Sequence, residues 1–295
     1  MTSGVTPGTT LVLRSAAPRG ASGPPWVASG GVRALVTNDD GIDSPGLAVL
    51  AAVAADAGFE VVVAAPASES SGAGASLLGV EADGRVRYEE RPAPGLPDGV
   101  RSFAVRAAPA LIAFLAVQDG VVGRPDLVLS GVNRGANTGH AVIHSGTVGA
   151  ALAAATHGVR AMAVSLAAAR PEHWATAGAV AAHALPWVLA QDAGRVLNVN
   201  VPDRPLTDVR GVVRAPLAGF GAVQARLDVL GEDALTVTYA EIDPARDAAS
   251  DAGLLAAGFA TLTLLRAPCA DDDADLPVHP SGPPPAGDPG VGQRA

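Results

Sequence analysis

Arg33-Ala34-Leu35-Val36-Thr37-Asn38-Asp39-Asp40-Gly41-Ile42-Asp43-Ser44-Pro45 passes from a short apolar run through an abrupt polar turn to a proline, and its reading decides the fold. Arg33 to Thr37 predicts a buried strand. Pro45 to Ala57 predicts a helix, with proline in the first turn, where a missing N–H loses no partner, and Gly58 after the last. Phe59 to Ala65, rich in valine, predicts a second strand. Strand, helix and strand in that order make one right-handed βαβ unit, which implies a parallel sheet.

The alternation continues downstream. Pro109 to Gln118 predicts a helix and Asp126 to Ser130 a third buried strand. Gly146 to Thr156 reads as a small-residue helix, Arg160 to Leu166 as a strand, Pro171 to Leu189 as a helix broken by Pro186, and Arg195 to Val201 as a strand. The expected core is a doubly wound, mostly parallel α/β sheet over residues 31–203. Between Leu77 and Val105, turn signals at Asp83-Gly84 and Pro97-Asp98-Gly99 predict an inserted β-hairpin. From residue 204 to 266 the pattern turns to alternation, as in Val209 to Arg214, Ala234 to Ala240 and Phe259 to Leu265, and a β-rich C-terminal appendage is expected. Residues 1–30 read as a flexible extension without a secretory signal. Residues 267–295 read as a disordered tail, acidic at Asp271, Asp272, Asp273 and Asp275 and then rich in Pro and Gly.

Composition limits the chemistry. The hydrophobic content of 48% in 295 residues supports a sizeable core. The apolar runs are short, and none suggests a membrane span. With a net charge of −9 the chain lacks the clustered cations a nucleic-acid polymer demands. Every basic residue is arginine, so a Walker lysine, a pyridoxal Schiff base and a kinase phosphate lysine are excluded. Cys269 is the single cysteine, which rules out an intrachain disulfide or a cysteine-rich metal site and fits a cytoplasmic setting.

In an open α/β sheet the site lies beyond the carboxyl ends of the strands. The first such loop holds Asp39 and Asp40, adjacent carboxylates that persist most easily around a hard cation. The same stretch also reads as a plain turn, with Asp43 or Ser44 capping the helix. The second, Pro66 to Ser76, is small and hydroxyl-rich, and reads as a linker or as a set of metal and phosphate contacts. The third runs from Ser130 to Val148 and concentrates Asn133, Arg134, Asn137, His140 and His144 before a helix opened by Ser145, Gly146 and Thr147. Free N–H groups and the positive end of the dipole at that helix start favour a phosphate, although Ser145 also reads as a simple N-cap. His157, His173 and His183 have no second ligand at helical spacing and read as structural.

Leu35-Val36-Thr37-Asn38-Asp39-Asp40-Gly41-Ile42, Ser130-Gly131-Val132-Asn133-Arg134-Gly135-Ala136-Asn137 and His144-Ser145-Gly146-Thr147-Val148 together resemble the SurE survival-protein family of nucleotidases. Leu197 to Pro202 and Gly258 to Thr263 are similar to later segments of that family. The resemblance implies a Rossmann-like core and one divalent metal ion per subunit, Mg²⁺ or Mn²⁺, held by Asp39, Asp40, Ser71 and Asn133. It also implies hydrolysis of nucleoside 5′- and often 3′-monophosphates, in a homodimer or tetramer. The chain departs from the family at Ser70, where a basic residue is usual, at Ala75, where a histidine is, and at Leu111, where an aspartate is.

On that basis the expected phosphate and substrate contacts are Asn38, Asn137, Ser145, Gly146 and Thr147. Asp40, His144 and Ser145 are the catalytic candidates, with Asp40 orienting or deprotonating the attacking water and His144 protonating the leaving alkoxide. Three alternatives stand beside this reading: a nucleotide-binding regulator with lost turnover, a phosphatase on another phosphoester, and a covalent aspartyl-phosphate hydrolase, for which the usual lysine is missing.

Overall fold

The computed structural model describes residues 31–79, 81–118, 123–219, 223–229, 235–241 and 247–268. The expected N-terminal extension, Cys269 and the acidic run of the tail lie outside them. In chain order the elements are β1 (Arg33–Thr37), α1 (Pro45–Asp56), β2 (Glu60–Pro66), β3 (Tyr88–Glu90), β4 (Arg101–Val105), α2 (Pro109–Val117) and β5 (Leu127–Arg134). There follow α3 (Gly146–Thr156), β6 (Arg160–Leu166), α4 (Trp174–Leu189), β7 (Arg195–Val201), β8 (Val212–Arg214), β9 (Val223–Val229), β10 (Leu235–Glu241), α5 (Asp251–Ala256) and β11 (Ala260–Arg266).

Among the described residues the central sheet has nine strands in the order β3-β4-β2-β1-β5-β6-β7-β11-β8. Neighbours from β4 to β7 all run parallel. The antiparallel pairs are β3 with β4 and β11 with β7. Helices cover both faces. Leu47, Leu50 and Ala51 of α1 share one apolar cluster with Val180 and Leu185 of α4, while Leu111 and Ile112 of α2 share the other with Val148 and Ala151 of α3. The doubly wound α/β fold is as expected, with three differences of detail. The hairpin between Leu77 and Val105 is not a free insertion: β4 pairs parallel with β2 and is buried at Phe103, Ala104 and Val105, so it widens the sheet. The β-rich C-terminal segment divides, β8 and β11 joining the central sheet while β9 and β10 form a separate antiparallel pair. Pro186 does not break α4, which continues to Leu189 because a proline in the last turn forgoes one N–H bond without unwinding what precedes it.

The chain winds outward from β1 to β2 on one side and from β5 to β6 on the other, so the sheet reverses direction between β1 and β5, which pair as Thr37 with Ser130. The residues following these strand ends occupy the crevice that such a reversal opens. On the α2/α3 face the strands are apolar at their amino ends, at Leu35, Val128 and Val196, and polar at their carboxyl ends, at Thr37, Ser130, Ser165, Asn198 and Asn200. All five polar residues are buried, so the interior becomes hydrogen-bonding as it approaches the crevice.

Close packing fixes where α1 starts. A Cβ on Gly46 would lie 2.1 Å from the Val132 carbonyl oxygen. Gly46→Ala is therefore expected to cost about 1–3 kcal/mol through overpacking. Urea unfolding measures it, and an unaltered midpoint would contradict this packing.

Candidate active site

The loop after β1 is shaped by Asn38. Its Nδ2 donates to the Gly41 carbonyl at 3.0 Å, and its Oδ1 accepts from the Gly41 N–H at 3.2 Å. Gly41 has φ +95°, a conformation that side chains resist. The turn leaves Asp39 and Asp40 side by side at the sheet reversal.

Asp39 is buried, at 4% exposure. Its Oδ1 accepts from the Thr147 hydroxyl at 2.5 Å, and its backbone carbonyl accepts from the Ser70 N–H at 2.7 Å. Gly146 lies against the same carboxyl group, since a Cβ there would stand 2.9 Å from Oδ2. The N-terminus of α3 is thus aimed at Asp39. Burial pushes the Asp39 carboxyl above the ordinary value; the Thr147 hydroxyl opposes the rise, Asp40 adds to it, and the Thr147 N–H opposes it. Asp40 is held differently. Its Oδ1 accepts from Arg134 Nε and its Oδ2 from the Arg134 backbone N–H, both at 3.0 Å. Arg134 also reaches Glu69 at 3.3 Å, and Glu69 accepts from the Ser71 hydroxyl at 2.8 Å. Asp40, Arg134, Glu69 and Ser71 therefore form one chain of contacts linking the three loops.

The loop after β5 is anchored by β6 and β7. The Asn137 carbonyl accepts from Asn198 Nδ2 and Asn200 Nδ2 at 2.8 Å each, its N–H donates to Asn200 Oδ1 at 2.7 Å, and its Nδ2 donates to Ser165 at 2.8 Å. Asn198 Oδ1 is buried without a partner among the described residues. Farther along, Asp251 at the start of α5 accepts from the backbone N–H groups of Gly139, Ala218 and Ala252 at 2.8–3.2 Å. Burial raises the Asp251 carboxyl above its ordinary value, against the pull of these three donors. The C-terminal segment thereby ties down the stretch that leads into α3.

The geometry redistributes several roles expected from the sequence. Asp39, Asp40 and Ser71 lie on the loops after β1 and β2, and Asn133 at the carboxyl end of β5, which runs on past the expected Ser130 to Arg134, so all four border the reversal. Asn133 Nδ2 donates to the Gly135 carbonyl at 2.9 Å, which leaves its Oδ1 without a hydrogen bond among the described residues. Both polar atoms of the Asn38 amide are engaged in its own turn. Ser145 caps α3, accepting from the Val148 N–H at 3.1 Å, and the Thr147 hydroxyl is given to Asp39. The His144 ring is exposed and has no hydrogen bond among the described residues, while its carbonyl accepts from the Gly74 N–H at 3.2 Å. Arg134 pairs with Asp40 and Glu69. The sequence reading missed Glu69, Asp251 and the Asn198/Asn200 pair. Two asparagines at strand spacing in an apolar run were a usable signal, because both must face one side of a buried sheet and find partners there. Among the described residues no three His, Cys, Asp or Glu side chains converge on a point; the expected ligands need only two carboxylates, the rest being hydroxyl and amide oxygens.

Residues 34–220 match the family model for the survival protein SurE. The chain is 39% identical over 244 residues to the 5′-nucleotidase SurE 1 of Burkholderia lata, covering 79% of this chain and 90% of that protein. It is 36% identical to the 5′-nucleotidase SurE of Solidesulfovibrio magneticus, covering 81% of this chain and 93% of that one. The crystal structure of the SurE protein from Aquifex aeolicus superposes with a TM-score of 0.66 at 25% identity, over 81% of this chain and 95% of that one.

Two outcomes follow from the buried carboxylates. A raised folded pKa means that the native state holds a proton which the unfolded chain has released, so stability falls as pH climbs from the ordinary carboxylate value through the folded one. In metal-free protein Asp39→Asn is expected to flatten that fall and to raise the melting temperature at neutral pH; identical pH slopes in thermal melts would contradict it. Asp251→Ala strands the buried N–H groups of Gly139 and Ala218 and the part-buried one of Ala252, and is expected to cost on the order of 3 kcal/mol in denaturant unfolding.

Proposed function

Because the chain belongs to the SurE survival-protein family, we propose that it is a divalent-metal-dependent phosphomonoesterase that hydrolyses nucleoside 5′-monophosphates, and 3′-monophosphates as well. The observation that carries this reading is the pair of adjacent carboxylates at the sheet reversal, with Asp39 buried under the first turn of α3. In open α/β sheets that crevice is the usual ligand site. The named activity of the Burkholderia and Solidesulfovibrio relatives supports the nucleotide as substrate.

The donor set suits a hard cation. Asp39 and Asp40 supply carboxylate oxygens, Asn133 an amide oxygen without a hydrogen bond among the described residues, and Ser71 a hydroxyl whose proton is directed to Glu69, leaving a lone pair for a cation. An all-oxygen set of this kind fits Mg²⁺ or Mn²⁺ and disfavours softer metals. When bound, such an ion would withdraw charge from a phosphoryl oxygen and lower the pKa of a water molecule, making hydroxide accessible near neutral pH.

The chain's own groups do the rest. Ser145 keeps its hydroxyl proton while capping α3, and the Gly146 N–H has no intrahelical acceptor; both are donors for phosphate oxygens, where negative charge grows during attack. The second amide proton of Asn137 serves the same end. Asp40, fixed by Arg134 at both oxygens, orients the attacking water. The exposed His144 protonates the departing nucleoside alkoxide, so that water adds to phosphorus, the P–O bond to the nucleoside breaks, and phosphate and nucleoside leave. Thr147 acts through Asp39, holding its carboxylate in place. Asn38 shapes the turn. Self-association as a dimer or tetramer belongs to the same proposal.

Purified protein is expected to release phosphate from a panel of 5′- and 3′-nucleoside monophosphates with Mn²⁺ or Mg²⁺, and to stop when chelator is in excess. Asp39→Asn is expected to abolish that release while the protein stays folded, and Thr147→Val to lower kcat or metal affinity about 10–100-fold. Full activity of Asp39→Asn, or release that persists in chelator, would overturn the scheme.

A further inference from the structure

The loop after β2 separates two openings of opposite character. On one side a recess of about 290 Å³ is lined by Asp40, Asp43, Glu69 and Arg134. On the other a cleft of about 620 Å³ is lined by Ser68, Ser70, Ser71, Leu78, Arg106 and Ala108, among others, and its lining contains no carboxylate. The two share Ala67 and Ser68, so the loop itself is the wall between them. Ser71, proposed above to face the metal, borders the larger cleft. Glu69 lines the recess, where Arg134 reaches it at 3.3 Å, and its carboxylate also accepts from the hydroxyl of Ser71 at the wall between the two openings.

Arg106 stands out from its neighbours. Arg85, Arg87, Arg91 and Arg101 pair with Asp83, Glu81, Asp43 and Glu90 respectively. The Arg106 guanidinium has no ion pair or hydrogen bond among the described residues, although the chain carries an excess of acidic over basic groups. Its backbone is nevertheless held: the Arg106 N–H donates to the Arg87 carbonyl at 2.8 Å, and the Ala108 N–H donates to the Leu78 carbonyl at 2.8 Å. An arginine with no partner among the described residues, on an anchored segment that lines a carboxylate-free cleft together with Ser68 and Ser70, is suited to receive an anion. The cleft also exceeds what one phosphate needs and lies within the roughly 300–1,000 Å³ of small-molecule sites.

We propose that Arg106, with Ser68 and Ser70, forms a subsite for a second phosphate carried by the leaving part of the substrate, so that nucleoside bisphosphates are preferred over monophosphates. This rests on the phosphomonoesterase reading of the adjacent site. A substrate whose scissile phosphate sits by Asp39 and Ser71 extends its nucleoside along the cleft and presents a remote phosphate to the guanidinium. Arg106 is then a specificity residue that stands away from the reacting atoms.

The test compares adenosine 5′-monophosphate with adenosine 3′,5′-bisphosphate on wild-type protein, Arg106→Gln and Arg106→Lys, in Mn²⁺, by calorimetric binding and by phosphate release. Arg106→Gln is expected to weaken bisphosphate binding roughly tenfold or more relative to monophosphate, and to lower the ratio of their kcat/KM values to the same extent through KM, with Arg106→Lys intermediate. Equal losses for both ligands, or none, would overturn the subsite. Absence of phosphate release from either ligand, with the binding difference intact, would instead remove the enzymatic reading and leave the subsite standing.

Discussion

The hydrogen bond from the Thr147 hydroxyl to the buried Asp39 carboxylate joins the parts of this site. It links the end of β1 to the start of α3, two elements separated by 108 positions in the chain. A carboxylate in that position loses most of its hydration, and burial is accordingly the largest influence on its proton affinity. A hydroxyl, the first N–H groups of a helix and, in the proposed function, a cation offset the loss. The close fit follows from the same need, because any side chain at Gly146 would displace the carboxylate.

Around this contact the molecule separates its charges. Asp40 is paired with Arg134, which in turn holds Glu69, and Glu69 accepts a hydrogen bond from the Ser71 hydroxyl. Such pairs at the surface add little stability. Here they orient instead: the loop after β2 presents the Glu69 carboxylate to one opening and Ser70 and Ser71 to the other. In a chain without lysine, the planar guanidinium with its several donors becomes the means of fixing loops, and Arg134 spans two of them.

The polar ends of the central strands supply the rigid base. Asn198 and Asn200 bind the Asn137 backbone, Ser165 binds its side chain, and Asp251 binds the Gly139 N–H. An irregular loop within a protein interior must satisfy its N–H and carbonyl groups somewhere, and here strand side chains satisfy them. The C-terminal segment is therefore part of the site's support, through α5 and through β11 paired on β7.

Local sequence marked most elements of the core, though not α5, β9 or the continuity of α4 through Pro186. The proline and glycine at the ends of the helix from Pro45, the valine-rich strand after it and the clustering of Asn133, Asn137 and Ser145 to Thr147 are short-range signals, and they placed the doubly wound sheet and the loops that matter. The sequence alone could not assign partners. Whether Thr147 serves a phosphate or Asp39, whether Arg134 faces a ligand or Asp40, and whether the strand from Ala260 stands apart or closes onto β7 all depend on residues far away in the chain. Hydrogen bonds between such residues are set by register and packing, not by periodicity. Only the tertiary structure decided them, because a polar group's role is fixed by which neighbour burial brings within about 3 Å of it.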